Sequence, residues 1–466
     1  MDSMFDFIQL VASNVWTYGV TFLLVLSLLV FVHEWGHFIV ARLCGVRVET
    51  FSIGFGKEIF GWTSKTGTRW KVSMIPLGGY VKMFGDADPT SASYTDHIQV
   101  EDGTFRSYTP EERSVAFFAK PVPHRAAIVF AGPAINFIFA IAVLSVLYAS
   151  YGKPLTPPHV TGLEVGSAAE RSGFEPHDII KVINGKPITN FQEVRQASML
   201  ALDTPMDFVV ERDGKEVSFV AHPEKKTESD RFGFSHEKGY LGLFGPANGV
   251  DVTAISEVNG VSTQENPDKA RELLLQNMDK KITIHLDQPD KTVTSMWINP
   301  PSALNAHLGG ADEKMKNVLI LGVRPGDDFK KYGPLEAVGV AVLETKKIVI
   351  ETLKAIGQMV TGTRSTTELG GIIRIGAMAG DMAERGYIAL FTFTALLSIN
   401  LGLINLFPIP MLDGGHLAFY AIESLRGKPL SEKSQEYAFR FGLVVLVTLM
   451  TFANLNDIIQ LFLKYT

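Results

Sequence analysis

TFLLVLSLLVFVHEWGH, residues 21–37, decides how the chain must be read. Thr21–Val32 is an apolar run without charge, and His33, Glu34 and His37 follow directly on it. A helix needs roughly 20 apolar residues to cross about 30 Å of hydrocarbon. With its flanks this run reaches that length, as do Ala126–Leu147, Tyr387–Leu406 and Phe441–Phe452. Such runs beside long hydrophilic blocks describe a membrane protein rather than the core helices of a large soluble one. Ionisable groups at the end of an apolar span are costly unless they have a function.

Histidines at i and i+4 share one helix face and can offer ring nitrogens to one metal ion. Between His33 and His37, Glu34 is placed to act as a general base without having to bind the metal. A catalytic zinc site wants a third protein ligand and an open position, yet nothing suitable follows His37 closely. Far along the chain, NLFPIPMLDGGH (405–416) interrupts the third apolar run. Its prolines break the helix, its glycines allow close backbone approach, and Asp413 is a carboxylate in a hydrophobic segment that needs a partner. A zinc ion held by His33 and His37 would be that partner.

Outward from these motifs, the remaining sequence sets the topology. No Lys or Arg precedes the first run, and no small-residue cleavage site follows it, so it is expected to be a retained anchor rather than a signal peptide. Basic residues cluster between spans one and two (Arg42 to Arg125) and between spans three and four (Arg426, Lys428, Lys433, Arg440). The positive-inside rule puts these connections in the cytoplasm, both termini outside, and the block from Tyr151 to Arg385 outside as well. A net charge of -6 argues against a general nucleic-acid binder. The single cysteine, Cys44, excludes internal disulfides.

Ile59–Trp62, a Ser64–Gly67 turn and Arg69–Met74 read as a hairpin, ended by Pro76 and Gly78-Gly79, that either touches or dips into the bilayer or is a short cytoplasmic surface hairpin. Asp86–Lys120, polar and poorly periodic, reads as a mobile connector. The outward block contains an imperfect repeat: Ile180–Gly185 is echoed by Ile255–Gly260, and Tyr240–Leu243 by Ile320–Val323. Gly166–Gly173 followed by Asp178-Ile179-Ile180 resembles the PDZ-domain pattern, with His177 in place of the usual glycine. The late Leu-Gly strands resemble circularly permuted PDZ domains of bacterial proteases. Pro334–Val360 is expected to be an amphipathic helix, lying on the outer membrane surface or packed on the domain before it.

The pairing of HExxH in the first span with Asn-x-x-Pro-x-x-x-Leu-Asp-Gly in a late span resembles the site-2 protease family. The order of spans and PDZ-like domains is similar to its bacterial regulator of sigma-E protease branch. Gly132–Asn136 in span two and Pro76–Met83 carry the same resemblance. It implies one Zn2+ per chain bound by His33, His37 and Asp413, with Glu34 as the catalytic base. It also implies that Asn405 holds substrate backbone, and that Arg69, Trp70, Lys71, Val72, Ser73 and Met74 form the edge strand receiving the substrate. One departure is Gly371-Ile372, where the family has Gly-Pro before span three; another is the degenerate second repeat.

The expected fold is an α+β multidomain membrane protein: four transmembrane helices, a membrane-associated β-hairpin and two small circularly permuted PDZ-like domains. The divisions are 1–41 (first span with HExxH), 42–123 (hairpin and connector), 124–151 (second span) and 152–246 and 247–327 (PDZ-like domains). They continue with 328–385 (amphipathic helix and linker), 386–425 (third span with the LDG motif) and 426–466 (fourth span and tail). The expected function is intramembrane zinc metalloendopeptidase in a bacterial inner membrane, its PDZ-like domains and termini periplasmic. His37 lies five residues before Arg42, so the metal would sit about 8 Å inside the cytoplasmic boundary and the cut would fall on that side. By resemblance the partners are membrane lipid and single-span proteins already trimmed outside, such as an anti-sigma factor or a remnant signal peptide, in a stress response. The enzyme is expected to be a monomer with no nucleic-acid partner. A metal-ion transporter would not need Glu34 as a spare carboxylate, and a PDZ scaffold would tolerate loss of the metal.

Overall fold

Hydrocarbon offers no hydrogen-bond partners, so a spanning backbone must bond within itself, and each apolar run does so as a helix. The computed structural model describes residues 16–85, 97–99, 105–230, 232–264, 266–287, 292–310, 315–322 and 329–465. The helices that frame the site are α1 (Thr21–Leu43), α2 (Val122–Ser150), α3 (Pro334–Val360), α4 (Ile372–Glu384), α5 (Tyr387–Asn405), α6 (Asp413–Arg426) and α7 (Glu432–Tyr465). By length and composition α1, α2, α5 and α7 can cross a membrane. α2 lies at the centre, packed on α1, α3, α5 and α6. Where α1 crosses it, Gly36 permits the approach: a Cβ there would stand 2.3 Å from the Ala131 carbonyl oxygen.

The expected third segment, 386–425, is two helices. α5 ends at Asn405, Pro408 and Pro410 prevent its continuation, and α6 starts afresh at Asp413. Pro334–Val360 is helical as expected, but its small face decides its place. Ala337, Ala341 and Thr345 are buried, and Ala341 packs with Ala140 and Leu144 of α2 and Ala395 and Ile399 of α5. Thr352 reaches Asn400, well inside α5, at 3.2 Å. The helix therefore packs along α2 and α5, while Gln358 near its end also donates to the Leu200 carbonyl of the preceding block at 2.7 Å.

The hairpin is longer than its sequence pattern suggests: β1 is Val48–Thr63 and β2 is Arg69–Met83. Pro76 and Gly78-Gly79 bend β2 without ending it, opposite Gly54, whose φ is 89°. Bending folds the ribbon on itself. Arg69–Val72 pairs with Thr63–Phe60 and also with Thr50–Ile53, while Thr50–Ile53 pairs in turn with Lys82–Gly79. The Arg69–Met74 segment is therefore not an edge strand where it was expected to be one, because Arg69 to Val72 are flanked on both sides. Trp70 stacks on Phe51 (4.5 Å) and Trp62 (6.0 Å), Arg69 bonds Glu58, and Ser73 is buried against Ser52 (3.2 Å). Lys71 lies 5.2 Å over the Tyr80 ring. Ile59, Phe60, Trp62 and Met74 are exposed, an apolar surface suited to lipid.

Part of the Asp86–Lys120 connector lies outside the described residues. The described part is ordered: His97–Gln99 pairs with Phe105–Ser107, and Thr109 with Glu112 forms a capping box on the helix Pro110–Val115.

In the block between α2 and α3 the repeat is visible atom by atom. Asn184-Gly185 and Asn259-Gly260 both take positive φ in two-residue hairpin turns. Asn184 Oδ1 accepts the Asp207 N–H at 2.8 Å, and Asn259 Oδ1 accepts the Thr283 N–H at 2.9 Å. Helix Phe191–Met199 in one copy answers helix Pro267–Gln276 in the other. The copies are not separate, however. Gly162–Glu164 and Leu243–Phe244 of the first join the sheet of the second through strand Val293–Ile298. His177 sits at φ 79°, the left-handed conformation in which glycine would be unstrained.

The linker after α3 is tied to both the first copy and α7. Arg364 donates to the Glu237 carbonyl (3.1 Å) and pairs with Glu368 (2.7 Å). Asp457 of α7 accepts from the Gly371 and Arg374 N–H groups, capping α4 from another helix. At Ile372 the departure from Gly-Pro supplies an N–H, which Asn454 accepts at 3.1 Å.

Candidate metal centre

His33 and His37 project from one face of α1 onto α2, where Gly132 has no side chain to obstruct them. A Cβ at Gly132 would lie 2.2 Å from His37 Nε2 and 2.9 Å from His33 Cε1. The loop Leu406–Leu412 brings the third group. It folds back over the first turn of α6, where a Cβ on Gly414 would stand 2.3 Å from the Leu406 carbonyl oxygen. Met411 turns the chain at φ 85°, and Asp413 becomes the first residue of α6. A carboxylate is favoured at a helix N-terminus.

The three groups converge. His33 Nε2 is 3.2 Å from His37 Nε2 and 3.2 Å from Asp413 Oδ2, and His37 Nε2 is 3.6 Å from that oxygen. Tetrahedral zinc with bonds near 2.0–2.1 Å requires ligand atoms roughly 3.3 Å apart. The triangle fits. Asp413 Oδ2 is buried with no hydrogen bond among the described residues, an orphan that a cation would satisfy. Two imidazoles and a carboxylate are also a donor set suited to zinc.

α2 orients both rings. His37 Nδ1 donates to the Ile128 carbonyl at 2.9 Å, which leaves its Nε2 lone pair facing the triangle. Asn136 Nδ2 lies 3.0 Å from His33 Nδ1, and Asn136 Oδ1 is buried without a partner among the described residues. A His33 that offers Nε2 to a metal must donate from Nδ1, so the binding state requires the Asn136 amide turned with its oxygen to the ring. Asn405, the last residue of α5, reaches His33 Nε2 at 3.5 Å and thus borders the same point.

Glu34 faces the hairpin. The Val81 backbone lies against its carboxylate, and a Cβ on Gly79 would come within 3.3 Å of Glu34 Cγ. Gly79–Lys82, paired with β1 along one side only, is thus the strand edge next to the carboxylate. Sequence reasoning missed this edge, and it missed the parts played by Ile128, Gly132 and Asn136. For the first two the determinant is backbone, a carbonyl and a missing side chain, which no pattern of residue types displays. The segments Pro76–Met83 and Gly132–Asn136 were visible only as likenesses to a family. His416 stays outside the triangle, packed beside Phe439 at 5.2 Å.

The model of peptidase family M50 matches residues 21–449. The chain is 36% identical to a provisionally named zinc metalloprotease of Rhizobium meliloti, over 95% of this chain and 96% of that one. It is 34% identical to the regulator of sigma-E protease of Salmonella typhimurium (94% and 98% covered) and 31% identical to that of Haemophilus influenzae (96% and 100%).

Proposed function

The chain belongs to peptidase family M50, the site-2 proteases, and from that premise we propose that it is an intramembrane zinc metalloendopeptidase cutting single-span membrane proteins near the cytoplasmic side of the bilayer. Zinc is its cofactor. The observation that carries the reading is the triangle of His33, His37 and Asp413, with the Glu34 carboxylate beside it, at the end of a membrane-crossing helix.

In this reading His33, His37 and Asp413 would hold the ion. Zinc there supplies Lewis acidity toward a peptide carbonyl and toward water. Glu34 takes the proton from the attacking water and returns it to the leaving amine nitrogen. The Val81 backbone keeps the Glu34 carboxylate aimed while it waits for substrate. A substrate helix satisfies its carbonyls internally, so it must open before it can be cut. The edge Gly79–Lys82 replaces those bonds by strand addition, and Asn405 holds the substrate backbone beside the three ligands. Placing the receiving edge here rather than at Arg69–Met74 follows from the pairing of Arg69–Val72 on both sides.

The hairpin end of the bundle is cytoplasmic in this account, with the paired domains and both termini periplasmic in a bacterial inner membrane. The two repeat copies act as PDZ-like domains, and their fused sheet supports a rigid unit that excludes substrates with bulky outer parts. Substrates are then spans already trimmed outside, of the anti-sigma factor or remnant signal peptide kind, and the enzyme works as a monomer.

The test is cleavage of a tagged single-span protein in liposomes by zinc-loaded, chelator-stripped and zinc-restored enzyme, the cut site mapped by mass spectrometry. A cut in the cytoplasmic third of the span, lost and regained with zinc, supports the reading. Cleavage that persists without zinc, or that falls outside the span on the periplasmic side, refutes it.

A further inference from the structure

One face of α2 meets the candidate centre along its length. Asn136 contacts His33, Gly132 lies against both rings, and Ile128 accepts from His37. Helical spacing continues that face to Arg125. There the guanidinium meets Glu423 at 2.6 Å, with only 9% and 14% of the two side chains exposed. Arg125 Nε also donates to the Lys120 carbonyl at 3.0 Å, and the guanidinium sits 4.9 Å over the Tyr420 ring. Tyr420 and Glu423 both belong to α6, the helix that begins with Asp413. At 1.5 Å per residue, Glu423 lies about 15 Å along α6 from Asp413, and Arg125 about 11 Å along α2 from Gly132.

We propose that the Arg125–Glu423 pair is a positioning device for Asp413. By fixing the register of α6 against α2, it sets the aspartate at the height of the two imidazoles. The inference rests on the reading of Asp413 as a metal ligand. That aspartate arrives after a seven-residue loop, Leu406–Leu412, so the body of α6 must hold it in place. The apolar contacts between α6 and α2, Tyr420 and Leu417 among Ile128 and Val129, are non-directional and would permit sliding. A buried ion pair adds little net stability, and its best-attested use is to fix registry. Metal ligands tolerate errors of only about 0.2 Å, whereas a slip of one helical residue is about 1.5 Å.

The test measures zinc affinity by chelator competition on the full-length protein in detergent. The variants are Glu423→Gln, Arg125→Lys and the exchanged pair Arg125→Glu with Glu423→Arg. Each single change is also made on an Asp413→Asn background. Glu423→Gln should weaken zinc by about tenfold, within the range for groups that orient metal ligands, and the exchanged pair should restore most of it. On the Asp413→Asn background the same change should have no further effect, because the pair acts through that residue. Should Glu423→Gln fail to fold, Arg125→Lys carries the same comparison with the charge retained. Wild-type zinc affinity in both single variants overturns the proposal. So does an equal loss on both backgrounds, which would mark a pair that only stabilises the fold. Wild-type affinity in Asp413→Asn itself would refute the ligand reading, and the positioning role with it.

Discussion

Gly132→Ala adds one methyl group at the place where α2 supports both histidines. The new carbon would lie 2.2 Å from His37 Nε2, 2.5 Å from its Cε1 and 2.9 Å from His33 Cε1. Ordinary contact begins near 3.4 Å, so the His37 ring must withdraw by about 1.2 Å. Zinc–ligand distances hold to about 0.2 Å, so that displacement removes a ligand. The loss in zinc affinity should therefore reach or exceed the roughly 100-fold upper value for changes one shell away. Stability should change by less, about 0–2 kcal/mol: alanine favours a helix over glycine by about 1 kcal/mol, against an overpacking cost of about 1–3 kcal/mol. The assay is zinc content and chelator competition on full-length protein, with thermal unfolding of the stripped form alongside. Gly339→Ala on α3, where a Cβ meets nothing within 4 Å, is the control and should be neutral or stabilising. A Gly132→Ala enzyme that keeps zinc with wild-type affinity would refute the packing argument.

Three further outcomes are expected. Asn136→Leu removes the acceptor that His33 Nδ1 needs in the metal-bound state and should weaken zinc by about 10–100-fold, as read by the same competition assay; unchanged affinity would sink that role. Val81→Pro removes the backbone N–H beside Glu34 from the open side of the strand edge, where proline is tolerated, so cleavage should fall at least about tenfold with zinc retained; undiminished cleavage would show that this edge receives nothing. The third concerns pH. Burial works to raise the Glu237 carboxyl, but the Lys225 ammonium, the Ser365 N–H and the Arg364 charge outweigh it and hold it below the ordinary 4.5. Because the folded value is lowered, its contribution is complete above that value and is lost as pH falls through the lowered one. Limited proteolysis of residues 361–371 should therefore quicken only below about pH 4.5, and quickening between about pH 7 and 5 would contradict this.

What was legible in the sequence follows its physics. Four spans could be read because hydrocarbon length imposes a composition, and HEWGH could be read because two ligands one helical turn apart leave a fixed spacing. Asp413 stood out as a carboxylate in an apolar segment, and the repeat showed through Asn184-Gly185 and Asn259-Gly260, whose turn admits few residues. The continuation of β2 did not show, because Pro76 and Gly78 are the residues that usually end a strand; here they bend it. Nor did the place of α3, since Ala337, Ala341 and Thr345 say that something packs closely but not what. The capping of α4 by Asn454 and Asp457 joins positions more than 80 residues apart, and local pattern cannot pair them.

Glu34→Gln tests the central claim most directly. A tagged single-span substrate is offered to wild type and variant in liposomes, with zinc assayed in both proteins. The variant keeps the size of the side chain and removes only the base, so zinc should remain at one per chain while cleavage drops by at least about 100-fold. Cleavage at the wild-type rate, or loss of zinc from the variant, would contradict the assignment of Glu34 as the base beside a metal held by His33, His37 and Asp413.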